Sequence, residues 1–533
     1  MSDLQALRAG GDEPLAALYH NLEAVRAMAL AVEGTLGSKG LDTMLVDPLG
    51  QVVVTNDGLT ILTSLEPSHP AARMVVSMAR AQEQAVGDGT TTATLLAASI
   101  LEEAAGHAAR GVPVNRLVEG LKLAAASAAA ELRRRSRPLT GTEDPRLRQV
   151  ALVAARGDES LADLALQAAQ ALGSGGPPET EGPRRRRIVA REGAVSRLVT
   201  GLAVRREPLS TQMPGVQRDA LVLVLDDALE ADFAGPEALR TEAGLARHLQ
   251  ENEAFRRFLE ALPARGVTCV ACSRVASDLA EEVLGQAGVL VLERVPRQEL
   301  LDLADHLGAQ IVKRAALGRE PSRLSAALGR CSHIHVDEPL GLTWFEGGRG
   351  RPAVTLLVGA ATPEVLEERR RVAEDAAAAV EAALDGGVLP GGGATELALS
   401  RALAREGARL QGMTTYGVAA LTEALKRPLA QMAANAGYNP LEKLGDVLSA
   451  QARADEEGRE ADALGLDLDS GEVSDLGQLG VWDPAPVKLH ALAAAVETAI
   501  AILRIRLIVQ KAGRPAHRGG DSADAPWQEG DPS

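Results

Sequence analysis

Both ends of this 533-residue chain carry long Ala/Leu-rich helical periodicity, and the stretch between them does not. Near the start, Leu15, Leu18, Leu22, Val25, Ala29 and Val32 recur at the spacing of one helix face over residues 14–34. Three further helices are predicted at 71–86, 90–106 and 114–135, separated by glycine breaks at 87–89 and 111–113. Between the first helix and these, Met44-Leu45-Val46-Asp47 and Gln51-Val52-Val53-Val54-Thr55 flank a Pro48–Gly50 turn and read as a β-hairpin. From about residue 220 the texture changes. Strand-like runs at 221–225, 267–271, 289–292 and 310–312 alternate with helical ones at 254–262, 277–285 and 298–307, the pattern of an α/β layer unit with its own core. Helical texture returns at 367–383, breaks at Gly391-Gly392-Gly393 and runs on to about 510. Two helical ends around an α/β centre imply one domain assembled from both termini, with the others inserted into it. The Gly-, Pro- and Asp-rich tail after residue 511 is expected to be disordered.

Composition narrows the function. Asp+Glu total 72 against 56 Lys+Arg, a formal net charge of -16, which argues against non-specific attraction to nucleic acid or anionic membrane. Aromatics are 2%, too few for base-stacking platforms. The basic run Arg184–Arg187 follows a Gly/Pro stretch and reads as a solvated loop. Three cysteines are too few for a disulfide scaffold, the N-terminus lacks an apolar signal core, and no run approaches ~18 uninterrupted apolar residues. A cytoplasmic protein is expected.

The strongest chemical signal is Val86-Gly87-Asp88-Gly89-Thr90-Thr91-Thr92-Ala93. Glycines around an aspartate allow close backbone approach, and three threonines then open a helix whose positive end favours phosphate. A carboxylate beside phosphate is repulsive unless a divalent cation lies between them, and Mg²⁺ suits one carboxylate plus phosphate oxygens. The same residues could be a plain helix start with a glycine turn. Gly34-Thr35-Leu36-Gly37-Ser38-Lys39-Gly40 has a glycine-loop look, but none of the seven lysines completes a Walker A loop. Thr55-Asn56-Asp57-Gly58, taken alone, is turn chemistry, and Asp375, taken alone, is a solvated helix residue.

The order and spacing of these pieces carry more than each does separately. From Gly37 to Ala93 the chain closely resembles group II chaperonins, the archaeal thermosome and the eukaryotic cytosolic chaperonin. The likeness continues in Leu389-Pro390-Gly391-Gly392-Gly393-Ala394 with Glu396, in Val481-Trp482-Asp483-Pro484 with Val487-Lys488, and in Ile502-Leu503-Arg504-Ile505. It implies a multidomain fold: a mainly α-helical equatorial ATP-binding domain (1–137 and 393–511), a small α/β intermediate hinge domain (138–202 and 358–392) and an α/β apical substrate-binding domain (203–357), then the tail 512–533. It also implies an ATP-dependent chaperone that encloses non-native proteins in a double ring, with ATP and Mg²⁺ as cofactors, unfolded or partly folded clients, and neither nucleic acid nor membrane as partner.

By the same resemblance, Gly37 and Lys39 belong to a nucleotide-cradling loop, Asp88 is the Mg²⁺ ligand, and Gly89, Thr90, Thr91 and Thr92 bind phosphate. Gly392 lies against the nucleotide and Asp483 near the ribose. Asp375 positions the attacking water, with Asp57 as its helper. Because Asp375 is remote in sequence from Asp88, hydrolysis is expected to require domain closure. The acidic segment 228–258 stands where thermosomes carry a helical protrusion, which implies a built-in lid and no separate lid co-chaperone; a solvated surface insertion fits its composition as well.

Ser38 stands where a proline is usual, Arg156 where a phosphate-sensing lysine is expected, and Arg506 where an acid is expected. These departures and the Arg-rich composition resemble the divergent bacterial group III. An assembly scaffold with weak or absent ATPase activity is the alternative reading, although both Asp88 and Asp375 are present. Cys269 and Cys272 have metal-site spacing but read as buried strand cysteines, and Cys331, His333 and His335, without a fourth ligand nearby, read as ordinary packing.

Overall fold

The two helical ends close on one another. The computed structural model describes residues 13–46, 50, 52–173, 186–231, 241–314 and 321–505. Its first third holds helix α1 (Glu13–Val32), hairpin strands β1 (Thr43–Val46) and β2 (Val52–Thr55), and helices α2 (Gly58–Ser64), α3 (Pro70–Val86), α4 (Thr90–Ala109) and α5 (Val114–Arg135). Helices α6 (Pro145–Ala154) and α7 (Glu159–Leu172) follow, then strands β3 (Arg186–Glu192) and β4 (Arg197–Val199).

The centre runs β5 (Gly201–Val204), β6 (Val216–Leu225), α8 (Glu242–Ala264), β7 (Val267–Cys272), α9 (Asp278–Gln286), β8 (Leu290–Leu292), α10 (Arg297–Leu307), α11 (Pro321–Ala327), β9 (Gly329–Asp337) and β10 (Leu342–Glu346). Strand β11 (Val354–Ala360) and the long helix α12 (Pro363–Gly386) lead out of it. The last third holds β12 (Val388–Pro390), α13 (Ala394–Gly407), α14 (Thr415–Ala424), α15 (Arg427–Asn435), α16 (Pro440–Glu456), β13 (Leu464–Leu466), β14 (Val473–Asp475), β15 (Trp482–Pro484) and α17 (Ala485–Leu503).

Three main cores divide the chain. The first joins both ends: Val25, Leu62, Val75, Ile100 and Leu121 share it with Leu403, Leu421, Ala495 and Ile502. Its central helix α17 is, among the described residues, the one helix long and apolar enough to cross a membrane, and half of it is buried inside this core. The second core belongs to a six-stranded mixed sheet of order β5-β10-β9-β6-β7-β8, whose inner strands are covered by helices. Val222, Leu223, Val224 and Leu225 in β6 are all fully buried, as expected of a strand covered on both faces.

The third core packs α6, α7 and α12 on the small sheet β3-β11-β4. Val354 and Leu356 of β11 belong to this core.

Three sequence expectations change. Residues 310–312 make only a single bridge, Val312 to Leu225, and no strand. The helix expected at 254–262 runs from Glu242 to Ala264, capped by the Thr241 hydroxyl on the Gly244 amide at 3.1 Å. Arg186 and Arg187 are in strand β3 rather than a loop. Pairing with β11 draws them in, and Arg186 meets Glu381 at 3.2 Å while Arg187 meets the buried Glu299.

The expected insertion 228–258 begins and ends in the core: Leu229 is fully buried and Phe255 nearly so, while residues 232–240 lie outside the described residues. The tail 512–533 and Arg506 also lie outside them.

Candidate functional site

The turn between α3 and α4 is set by two left-handed glycines. Gly87 (φ 68°) ends α3, and Gly89 (φ 82°) caps the start of α4. Both conformations are open to glycine at no steric cost. Asp88, between them, folds back so that its Oδ1 accepts from the Gly89 amide at 2.5 Å. No side chain caps α4. Its first turn, Thr90, Thr91 and Thr92, therefore presents backbone amides without a capping partner at the positive end of a 20-residue helix. Asp57, by contrast, caps α2, accepting from the amides of Leu59 (3.2 Å) and Thr60 (2.9 Å).

A fully buried glutamine locks this turn. Gln82 Nε2 donates to the carbonyls of Asp88 (2.7 Å) and Val487 (3.2 Å), and its Oε1 is 2.6 Å from His490 Nδ1. It ties the turn in the first third of the chain to helix α17 in the last.

The turn opens into a cleft of about 760 Å³, within the size range of nucleotide-sized sites. Carboxylates converge on it from separate segments: Asp57, Glu83, Asp88 and Asp375 all line it. Burial, with Asp57, Asp88 and Glu374 nearby, pushes the Glu83 carboxyl up to about 7. Burial likewise raises Asp88, against the Gly89 amide that lowers it. Asp375 is held well above the usual carboxylate range by burial, then by Asp88 and Glu83, with Arg156 opposing. Several carboxyls raised together, all with oxygen donors facing one space, suit a hard divalent cation such as Mg²⁺.

Asp375 reaches the cleft from α12, whose face toward the protein is Val372, Ala373, Ala376, Ala377, Ala379, Val380 and Ala383. That face packs on α6 and α7, and Ala378, outside it, lets α12 come close to the end of α3. A Cβ at Gly87 would lie 2.3 Å from that of Ala378. In this conformation Asp375 already lines the cleft that holds Asp88. Arg156 stands beside it at the end of α6, its guanidinium 2.6 Å from Glu368 and 3.7 Å from Asp375. Its backbone there is left-handed, with a φ of 54°.

At the far end, Asp483 on β15 pairs at 2.8 Å with Lys488, which meets Glu396 at 2.6 Å. Burial alone would lower the Lys488 ammonium; Asp483 and Glu396 outweigh it and hold the group charged. Gly37 and Gly392 line the cleft together with apolar Met432, Leu476 and Leu479. Lys39 does not line it and instead pairs with Asp469 at the rim.

Sequence reading left out Gln82, Glu83 and the Lys488–Glu396 pair as site residues. The glutamine and glutamate leave no local signal, since their role depends on contacts to other segments. Lys488 could have been singled out, because it is one of only seven lysines and follows Asp483 by five residues.

Comparison with known proteins agrees with this architecture. The family model of the TCP-1/cpn60 chaperonin family matches residues 28–512. The thermosome subunit beta of Archaeoglobus fulgidus is 33% identical over 518 residues, covering 94% of this chain and 93% of that protein. The thermosome subunit alpha of Thermoplasma acidophilum is 32% identical over 530 residues, covering 95% and 94%. Among solved structures, the crystal structure of a group III chaperonin in the open state matches with a TM-score of 0.82 and 41% identity, over 93% of this chain and 99% of that one.

Proposed function

Because this chain belongs to the TCP-1/cpn60 chaperonin family and is an ATP-dependent chaperonin, we propose that its nucleotide works in the cleft between α4 and α12. The observation that carries this reading is the convergence of an uncapped helix start with carboxylates from separate segments. Phosphates bind the amides and hydroxyls of Thr90, Thr91 and Thr92, with Gly89 giving close access. Gly37 and Gly392 flank the base and sugar, the apolar side chains Met432, Leu476 and Leu479 take the base, and Asp483 faces the ribose, held by Lys488. Lys39 closes the rim through Asp469.

Asp88 would be the principal ligand for Mg²⁺, and that ion would supply charge neutralisation for the phosphates and the surrounding carboxylates. Asp375 accepts a hydrogen bond from the attacking water and orients it. Asp57, fixed as a helix cap at the edge of the same cleft, assists it. Arg156 favours the ionised form of Asp375, the form able to accept.

The domain assignment 1–137 with 393–511, 138–202 with 358–392, and 203–357 is proposed with β11 moved to the intermediate unit. Self-association into a double ring is supported by the β1–β2 hairpin. Its register places Met44 opposite Val54 and Val46 opposite Val52, all four exposed on one face. A built-in lid is supported by α8, where Leu245 and Leu249, one turn apart, are exposed among charged neighbours. Non-native proteins are the clients and the cytoplasm the site of action.

The test is Asp375→Ala. ATP should bind with near-normal affinity, since phosphate and metal contacts are untouched, while turnover falls at least ~100-fold, as on loss of a general base. Wild-type turnover in this variant would remove Asp375 from the mechanism. No turnover even in the wild-type protein would favour the scaffold reading.

A further inference from the structure

The central sheet carries a cluster of ligating side chains on strands β9 and β10, apart from the residues that line the nucleotide cleft. His333 and His335 lie two residues apart on β9, so the pleat points both to one face. The register of the neighbouring strand puts Glu346 opposite His333 and Trp344 opposite His335. Each of His333, His335 and Glu346 offers one ligand atom, and these atoms all lie within 4.8 Å of one another.

We propose that His333, His335 and Glu346 form a binding site for a first-row divalent cation of the zinc type, with water in the remaining position.

The distances suit such an ion. Ligands about 2.0–2.1 Å from a tetrahedral Zn²⁺ stand roughly 3.3 Å from each other. Glu346 is 3.6 Å from His335 Nδ1 and 4.0 Å from His333 Nδ1, so small side-chain adjustments close the site. Both separations are too long for hydrogen bonds. His335 Nδ1 is moreover shut off from solvent with no hydrogen-bond partner, a rare state for a buried ring nitrogen. A cation would supply the missing partner. The imidazoles are already oriented: His333 stacks on His335 with centroids 5.3 Å apart, and His335 stacks on the buried indole of Trp344 at 6.1 Å.

The nearby guanidinium of Arg197 is engaged over Trp344 and toward Asp337. Two imidazoles and one carboxylate match the borderline donors that zinc and its neighbours prefer. The fourth ligand missing from the sequence pattern Cys331, His333, His335 is not required, because three protein ligands and a water make a complete site. Cys331 does not take part; it is buried in the hydrophobic core, where Cys269 also lies.

The experiment uses full-length, tag-free, metal-stripped protein with excess Mg²⁺ to fill the nucleotide cleft. Co²⁺ is titrated and its visible d–d absorption recorded, followed by displacement with Zn²⁺. One Co²⁺ per chain with the intense band of a low-coordinate site, released by Zn²⁺, is the expected result. His333→Ala, His335→Ala and the near-isosteric Glu346→Gln should each weaken binding at least ~10-fold. ATP turnover in the same variants reports that they are folded. Absence of the band in the wild-type protein, or a band unchanged in all three folded variants, overturns the site.

Discussion

The two walls of the proposed nucleotide cleft are held by different forces. The wall that carries Asp88 is fastened by buried groups: Gln82 bridges Asp88 and Val487, and Lys488 is clamped between Asp483 and Glu396 with 8% of its side chain exposed. The wall that carries Asp375 touches its neighbour through alanines and partly exposed charges. Glu368 and Arg371, 28% and 20% exposed, pair with each other and reach Thr55 of β2 across the seam at 3.3 and 3.4 Å, while Arg156 holds Glu368 from within their own core. Buried, hydrogen-bonded polar groups are costly to separate, whereas part-exposed ion pairs contribute about 0–1 kcal/mol and exchange readily with water. One wall is therefore a fixed base, and the other can separate and re-form at little cost. That asymmetry is what a domain coupling hydrolysis to movement requires.

The comparison can be broken first at the fixed wall. Lys488→Met should cost about 3–5 kcal/mol, because it leaves two facing carboxylates, one of them deeply buried, without their cation. Thermal unfolding of the purified protein measures it, and Lys488→Met combined with Glu396→Gln should recover part of the loss. A single variant as stable as wild type would mean that this wall is not held by the pair.

Gln82→Leu should follow at about 1–3 kcal/mol, since it orphans two carbonyls and His490. It should also weaken ATP binding, read by calorimetry, because the turn that presents α4 loses its tie to α17. Unchanged affinity would separate the stability of the turn from its ligand geometry.

The smallest effect belongs to the mobile wall. Arg156 lowers the Asp375 carboxyl, so its removal raises that group further and reduces its ionised fraction at any given pH. In Arg156→Ala the acid limb of the turnover–pH profile should move to higher pH, with rates converging on wild type at the alkaline end. Stability should barely change. An unshifted profile would show that Asp375 does not titrate in the rate-limiting step or that Arg156 does not act on it.

Much of the fold was legible where the physics is local. Helix α5 runs over the predicted 114–135, and α3 and α4 begin within one residue of expectation, because proline and glycine breaks mark their ends. Helix α8 was underestimated because its first half, mostly exposed, has no apolar periodicity to announce it. Arg186 and Arg187 were read as loop since their partners, Glu381 and Glu299, are more than a hundred residues away. The three-residue strand expected at 310–312 failed for a related reason: a short apolar run becomes a strand only if a neighbour extends alongside it.

The site divides in the same way. By itself the sequence determined the glycine turn and the helix start proposed to bind phosphate, because Gly87, Asp88, Gly89 and the threonines are adjacent and the left-handed glycines follow from residue type. Tertiary structure alone decided that Glu83 and Asp375 share a cleft with Asp88, that Gln82 reaches Val487, and that Glu346 comes beside two histidines. Those groups are joined by packing across tens to hundreds of residues, and their raised or unpaired states exist only once other segments have removed the water around them.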